Sequence, residues 1–272
     1  MTKQIVLHDA FYTGFADSFE EQDIKAYHQQ MSQVIAQHVT QIGKNAAHGY
    51  SDAGHHYFCS TMMDSVFSAN SINPEQVFES DFDVPQSFTN AYECACWGYC
   101  LQHHLEYKPE QKFIAISILD INAMEMKYWS QNDQWGKSGF GICTLFLEIT
   151  DEPVDRQRIH NGVASGGNNI ISFASFAKQV AKACDANTLS LPFFPDSMSI
   201  PVRRSLKNVH VTTERHDEYG HAFGSDPWIA FIRDHQSGEQ DFDRIVFGSL
   251  ALRGYYCFAD IDISNRIQVQ LN

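Results

Sequence analysis

Short apolar runs alternate with amphipathic stretches along most of the chain. IVLHDAF (5–11) predicts a strand. Residues 22–46 carry Ile24, Tyr27, Met31, Val34, Ile35, Val39 and Ile42 at three- and four-residue steps, the spacing of a helix with one apolar stripe. HYFCSTMM (56–63) predicts a buried strand, and SFTNAYE (87–93) a further one that runs straight into YECACWGYC (92–100). From there to about Leu105 a helix is expected, with Trp97, Leu101 and Leu105 on one stripe. KFIAISILDI (112–121) and GICTLFLEIT (141–150) are unbroken apolar runs, as in strands covered on both faces.

The stretch 150–169 is polar and contains Pro and Gly, which marks it as a boundary between halves at 1–152 and 153–272. A second cycle follows. Residues 172–185 predict a helix, 188–194 a strand, 199–208 a short basic helix and 209–214 a strand. Residues 226–235 then predict a helix, with strands at 244–252 and 255–263. Strands alternate with helices in both halves, which implies an α/β fold with helices covering a central sheet.

Composition narrows the function. With 272 residues and 43% hydrophobic content the chain can bury a substantial core. A formal charge of −14 argues against a nucleic-acid partner and discourages binding to a membrane surface. No apolar run approaches the ~20 residues that cross a bilayer. The N-terminus lacks the long apolar core of a secretory signal, so the expected location is the cytoplasm. The seven cysteines are then expected as reduced thiols.

Cys94, Cys96 and Cys100 lie within seven positions. A zinc site wants a second cysteine or histidine pair to complete four ligands, and none has the spacing. Adjacent His103 and His104 would point about 100° apart on a helix. No metal is therefore expected. GKSG (136–139) lacks the phosphate-loop spacing, and neither G-x-G-x-x-G nor G-x-S-x-G occurs.

This order of elements, with a cysteine at a strand-to-helix junction in the first half, resembles the thiolase-like condensing enzymes, most closely the β-ketoacyl-ACP synthase III branch. CACWGYCL (94–101) places Cys94 on the family's nucleophile, Trp97 near its aromatic and Leu101 on its Leu. SGFGICTLFLEI, EYGHAFGSDPW and FGSLALRG look like later segments of the same family. The resemblance implies an α/β thiolase-like fold, two pseudo-repeated βαβαβ-type halves in an α/β/α/β/α arrangement. It also implies an acyltransferase that forms an acyl-Cys94 thioester from an acyl-CoA or acyl carrier protein donor, with no tightly bound cofactor. Biosynthesis of specialised metabolites or fatty-acid-like chains would be its setting.

The departures matter too. The family's catalytic His falls at Asp196, and its Asn, allowing a one-residue gap, at His221. Carbon–carbon condensation uses those two donors to hold an enolate oxygen. Plain acyl transfer needs only a thiolate nucleophile, a base and an oxyanion hole. A helix N-terminus favours a thiolate at Cys94, whereas Cys96 and Cys100 fall deeper in the helix and read as core. The expected site is Cys94 with His221 as base and Asp196 orienting it. The bland alternatives are a core thiol, a turn histidine and a helix cap. Trp97, Trp129, Trp135 and Phe223 would line an acyl tunnel or simply pack. Arg203, Arg204 and Lys207 form a basic cluster in an acidic chain, suited to docking an acyl carrier protein or to a solvated helix face. A homodimer, or a heterodimer with a related condensing enzyme, is expected. The competing function is a catalytically degenerate subunit that pairs with an active enzyme.

Overall fold

A computed structural model describes residues 2–15, 24–60, 84–120, 123–124, 127–128, 131–132, 136–164, 168–238 and 242–272. Its first half contains strands β1 (Thr2–Gly14), β2 (Ala53–Ser60), β3 (Gln86–Thr89), β4 (Phe113–Asp120) and β9 (Gly141–Val154). Two small ladders lie between β4 and β9: β5 (Ala123–Met124) with β6 (Lys127–Tyr128), and β7 (Gln131–Asn132) with β8 (Gly136–Lys137). The helices of this half are α1 (Ile24–Gln41) and α2 (Cys96–Tyr107). The second half holds β10 (Ile159–Val163), α3 (Asn169–Ala183), β11 (Thr188–Ser190) and α4 (Asp196–Ser205). It continues with β12 (His210–Val211), α5 (His216–Tyr219), α6 (Asp226–Ser237), β13 (Arg244–Leu250) and β14 (Tyr255–Leu271).

The two halves share one pairing scheme. In the first, β1 pairs antiparallel with β9, β9 antiparallel with β4, β4 parallel with β2, and β2 parallel with β3. In the second, β10, β14, β13, β11 and β12 repeat that sequence of pairings in the same senses. β1 and β14 then pair in parallel and join the halves into a ten-stranded sheet.

Alternation of side chains sets the layers. Along β4, Ile114, Ile116 and Ile118 face the cluster that holds α2 and α6, while Phe113, Ala115 and Leu119 face α1. Every residue of β4 is buried, as its unbroken apolar run predicts. In the second half Phe247 and Ile245 face α2 and α6, and Val246 and Leu250 face α3 and α4. α2 and α6 therefore form a middle layer, with α1 and the α3–α4 pair outside. A middle helix must be apolar all round, and Trp228 to Ile232 are all fully buried. Trp97 of α2 meets Trp228 of α6 edge-on at 5.0 Å and donates from Nε1 to Ser249 Oγ at 2.9 Å. Gly98 lets α2 lie on β14, since a Cβ there would stand 2.4 Å from Cys257 Cβ.

The sequence pattern and the structure differ in identifiable places. α1 stops at Gln41 rather than running to 46, because Gly43 turns the chain at φ 72°. The strand expected at 56–63 begins at Ala53, and 61–63 lie outside the described residues. The strands expected at 87–93, 188–194 and 209–214 shorten to Gln86–Thr89, Thr188–Ser190 and His210–Val211. Inside the polar stretch 150–169 lies β10, whose ladder with β14 supplies the pairing that its side chains do not advertise. β14 runs eight residues past 263 because its second part pairs with β1.

Candidate functional site

Two consecutive non-glycine residues, Tyr92 at φ 69° and Glu93 at φ 50°, lead into the cysteine segment in the left-handed region. Such backbone costs on the order of 1–3 kcal/mol per residue and persists only where the surroundings hold it. Here Tyr92 stacks on Tyr99 at 3.7 Å and meets Tyr255 edge-on. Glu93 pairs with Arg253 Nε at 3.3 Å. The result is a sharp elbow that delivers Cys94 in a short 3-10 turn, Glu93–Ala95, at the start of α2. Cys94 is 5% exposed and packs with Phe223, Ala251 and Tyr255. A crevice too narrow to admit a water molecule adjoins it, lined by Ser60, Glu93, Cys96, Trp97, Ile118 and Gly224 among others.

The opposing wall is the segment 220–226. Gly220, at φ 70°, turns the chain after α5, and the His221 amide donates to the Lys137 carbonyl at 2.7 Å. His221 Nδ1 then lies 2.6 Å from Asp226 Oδ2. Asp226 is the first residue of α6 and is fully buried. It accepts from the Ala222 amide at 2.6 Å through Oδ1 and from the Phe193 amide at 2.9 Å through Oδ2. Burial pushes its carboxyl upward, while the His221 ring and these donors pull it back. A carboxylate on Nδ1 selects the tautomer in which Nε2 is the basic nitrogen.

The turn Phe223–Ser225 connects the two walls. Phe223, itself at φ 46°, packs on Cys94, and its ring centroid lies 5.1 Å from that of His221. Gly224 passes so close to the elbow that a Cβ would stand 3.1 Å from the Cys94 carbonyl and 2.9 Å from Ile118 Cγ2. Asp120, at the end of β4, sits beneath Ser225. Burial lifts its carboxyl well above the carboxylate range, against the pull of the Ser225 hydroxyl. The site thus gathers a thiol, an imidazole, its carboxylate and a second buried acid.

Of the residues singled out in the sequence, Cys94 and His221 both lie against Phe223. Asp196 does not join them. It is exposed at the start of α4, and the carboxylate on His221 is Asp226. Sequence reasoning missed Asp226 because the DP pair (226–227) looks like an ordinary helix start, and it missed Asp120 because it closes an apolar run. The signal in each case is a lone acid at a strand or helix end. Arg203 turns inward, with Nη2 donating to the Thr212 carbonyl at 2.7 Å, and so ties α4 to the segment after β12. Arg204 and Lys207 are exposed. Trp97 and Phe223 are buried, and Trp129 and Trp135 lie outside the described residues.

No protein-family model and no curated protein matches the chain. Solved structures do match. The acyltransferase ChlB3 superposes with a TM-score of 0.67 at 11% identity, over 95% of this chain and 97% of that one. 3-Oxoacyl-(acyl carrier protein) synthase III from Pseudomonas aeruginosa PAO1 gives 0.60 at 10% identity, over 97% and 100%. The priming β-ketosynthase of the R1128 polyketide pathway gives 0.57 at 8% identity, over 89% and 82%. The fold is thiolase-like, of the β-ketoacyl-ACP synthase III kind.

Proposed function

We propose that the chain is a thioester-dependent acyltransferase in which Cys94 carries the acyl group, His221 moves the proton and Asp226 orients His221. The observation that carries this reading is the strained elbow that holds Cys94 against the turn bearing a carboxylate-bonded histidine. His221 Nε2 takes the thiol proton as Sγ attacks the donor's thioester carbonyl. The donor's C–S bond breaks, and the donor thiol leaves with that proton. A small alcohol or amine acceptor then gives its proton to His221 as it attacks acyl-Cys94, and Sγ is released and reprotonated. The site has a histidine at the position where condensation would want an asparagine, which favours transfer over carbon–carbon bond formation.

The donor is an acyl-CoA or acyl carrier protein thioester, and the transfer step itself draws on no tightly bound cofactor. Exposed Arg204 and Lys207 suit an acidic carrier, whereas Arg203 is engaged within the fold. β3 ends the sheet among the described strands and is half-buried, an edge suited to pairing in a homodimer or heterodimer. The halves 1–152 and 153–272 are proposed as the structural units, and the cytoplasm as the location. Among the described residues no helix is long and apolar enough to cross a membrane.

A second reading has its own observation. The crevice beside Cys94 is narrow, and the larger cavity of about 460 Å³ opens on Cys96 and Cys100 instead. A catalytically degenerate subunit that shapes an active partner would show that arrangement. Intact-protein mass after incubation with a panel of acyl-CoA and acyl-carrier thioesters separates the two. The transferase predicts an adduct on the wild type that is absent from Cys94→Ala and slow to form on His221→Ala. No adduct from any donor selects the subunit reading.

A further inference from the structure

The fold brings Cys59, from the middle layer's face of β2, onto Cys96 and Cys100, one helical turn apart on α2. The three sulfurs all lie within 4.8 Å of one another, and Cys59 Sγ stands 3.6 Å from Cys100 Sγ. We propose that these three cysteines form a binding site for one thiophilic d¹⁰ ion, Zn(II) or Cu(I), separate from the thiol of Cys94.

Geometry is the first support. Metal–sulfur bonds of about 2.3 Å in a tetrahedral arrangement place ligand sulfurs about 3.8 Å apart, and a trigonal arrangement places them about 4.0 Å apart. The cluster is already near that size, so loading needs only small side-chain adjustments. A disulfide would instead require the sulfurs to close to about 2.0 Å. Location is the second support. Cys96, expected deeper in the helix, is instead the first residue of the twelve-residue helix α2, where the unsatisfied amides favour negative charge, while Cys94 lies in the 3-10 turn before it. Access is the third. Cys96 and Cys100 line the cavity of about 460 Å³, whose wall also includes His103, Glu106, Tyr99 and the exposed Tyr107. An ion has an entry path, and the cavity leaves a Zn(II) ion space for a water as fourth ligand. His104 faces away, held by Tyr57 Oη at 3.2 Å and the Gln111 carbonyl at 2.9 Å.

Soft thiolate sets select Cu(I) and Zn(II) over hard cations. Each thiol that becomes a ligand releases its proton to solvent, so loading is accompanied by proton release. The site would pin β2 to the first turn of α2, directly behind the elbow of Cys94. The sequence pattern hid it because Cys59 stands far from the other two in the chain.

The test uses the full chain, purified under reducing conditions and stripped with a chelator. It is loaded separately with Zn(II), with Co(II) as the spectroscopic stand-in for Zn(II), and with Cu(I). One ion per chain is expected, with a thiolate-to-cobalt charge-transfer band and tetrahedral d–d bands if Zn(II) is the occupant. Stoichiometric Cu(I) with a trigonal sulfur shell identifies the alternative ion at the same site. Cys96→Ala, which places a good helix former in α2, should weaken uptake by more than the about 10–100-fold that outer-shell changes cost. Cys59→Ala should do the same, and Cys143→Ala should not. X-ray absorption on the wild type keeps the outcome decisive even if a variant misfolds. Three sulfur scatterers at about 2.3 Å support the site. No uptake, a shell of nitrogen and oxygen alone, or uptake unchanged in folded Cys96→Ala overturns it.

Discussion

Asp226→Asn tests the site most sharply, because the structure fixes what the amide must face. Oδ2 accepts from His221 Nδ1 at 2.6 Å and from the Phe193 amide at 2.9 Å, and Oδ1 accepts from the Ala222 amide at 2.6 Å. Asparagine offers one acceptor oxygen. If it keeps the Oδ2 position, its NH2 opposes the Ala222 amide and leaves that buried donor unsatisfied. Such a loss costs about 1–3 kcal/mol, and weakening the charge-assisted bond to His221 costs about 1 kcal/mol more. The neutral amide recovers part of the burial penalty that pushes the Asp226 carboxyl upward. The net destabilisation is about 2–3 kcal/mol, within the 5–15 kcal/mol of a typical domain, so the variant folds. Its chemistry should suffer more. A positioned general base contributes about 10²–10⁴-fold, and without the carboxylate the imidazolium that forms is no longer stabilised. Rapid-quench mass spectrometry of acyl-Cys94 formation should show at least an about 100-fold slower burst, with circular dichroism at the same temperature confirming a folded chain. Asp196→Asn is the paired control, expected to change the burst less than about twofold because its side chain is exposed. A full-rate Asp226→Asn, or a loss confined to Asp196→Asn, would refute the assignment.

Three further outcomes follow from the packing. A buried chain of hydrogen bonds runs from Thr13 through His38, Thr144, Ser117 and His56 to Tyr50. Burial lowers His38 to about 4 and His56 to about 3, so the unfolded chain binds protons first, and stability present above pH 6.5 is lost as pH falls. By pH 5 each contributes a loss of about 2 kcal/mol. Asp9, raised to about 6 by burial, has the opposite sign and returns about 1 kcal/mol over the same interval. His55, lowered to about 4, adds to this loss and Asp120, pushed well up by burial, offsets it, so the quantity to read in urea titrations from pH 7.5 to 5 is the wild-type loss minus that of His38→Gln, expected at about 2 kcal/mol, and no difference would sink the reasoning. Gly98→Ala forces α2 off β14, because its Cβ would meet Cys257 Cβ at 2.4 Å and Sγ at 2.7 Å. The expected cost is about 1–3 kcal/mol, read as a lower Tm, and an unchanged Tm would mean that the layers are looser than described. Asp260, fully buried, holds Arg156 at 3.0 Å, Arg158 at 3.1 Å and Arg244 at 3.3 Å. Asp260→Ala leaves Arg156 and Arg244 without this anion, while Arg158 keeps Asp262 at 3.0 Å, and should cost about 3–5 kcal/mol in chemical denaturation, whereas a loss under about 1 kcal/mol would show the network to be dispensable.

Most of the elements were legible because the residues that form them are periodic over their own length. The stripe from Met31 to Ile42, the unbroken run of β4 and the apolar core of α6 each state their burial locally. The candidate nucleophile was legible for the same reason, since the residues around Cys94 are contiguous in the chain. β10 and the second part of β14 were not, because a ladder bond is made by backbone, and IHNGV (159–163) carries no side-chain record of its partner.

The sequence by itself determined an acidic α/β chain with alternating strands and helices, a thiol at a strand-to-helix junction and a histidine late in the second half. Only the tertiary structure decided that Asp226, not Asp196, meets His221, that Tyr92 and Glu93 bend the chain into an elbow, and that Cys59 lies against Cys96 and Cys100. The physical reason is common to all three. Hydrophobic periodicity encodes which face of an element is buried, but the partner met across that face depends on how separate elements cross, and that is settled only when the layers pack.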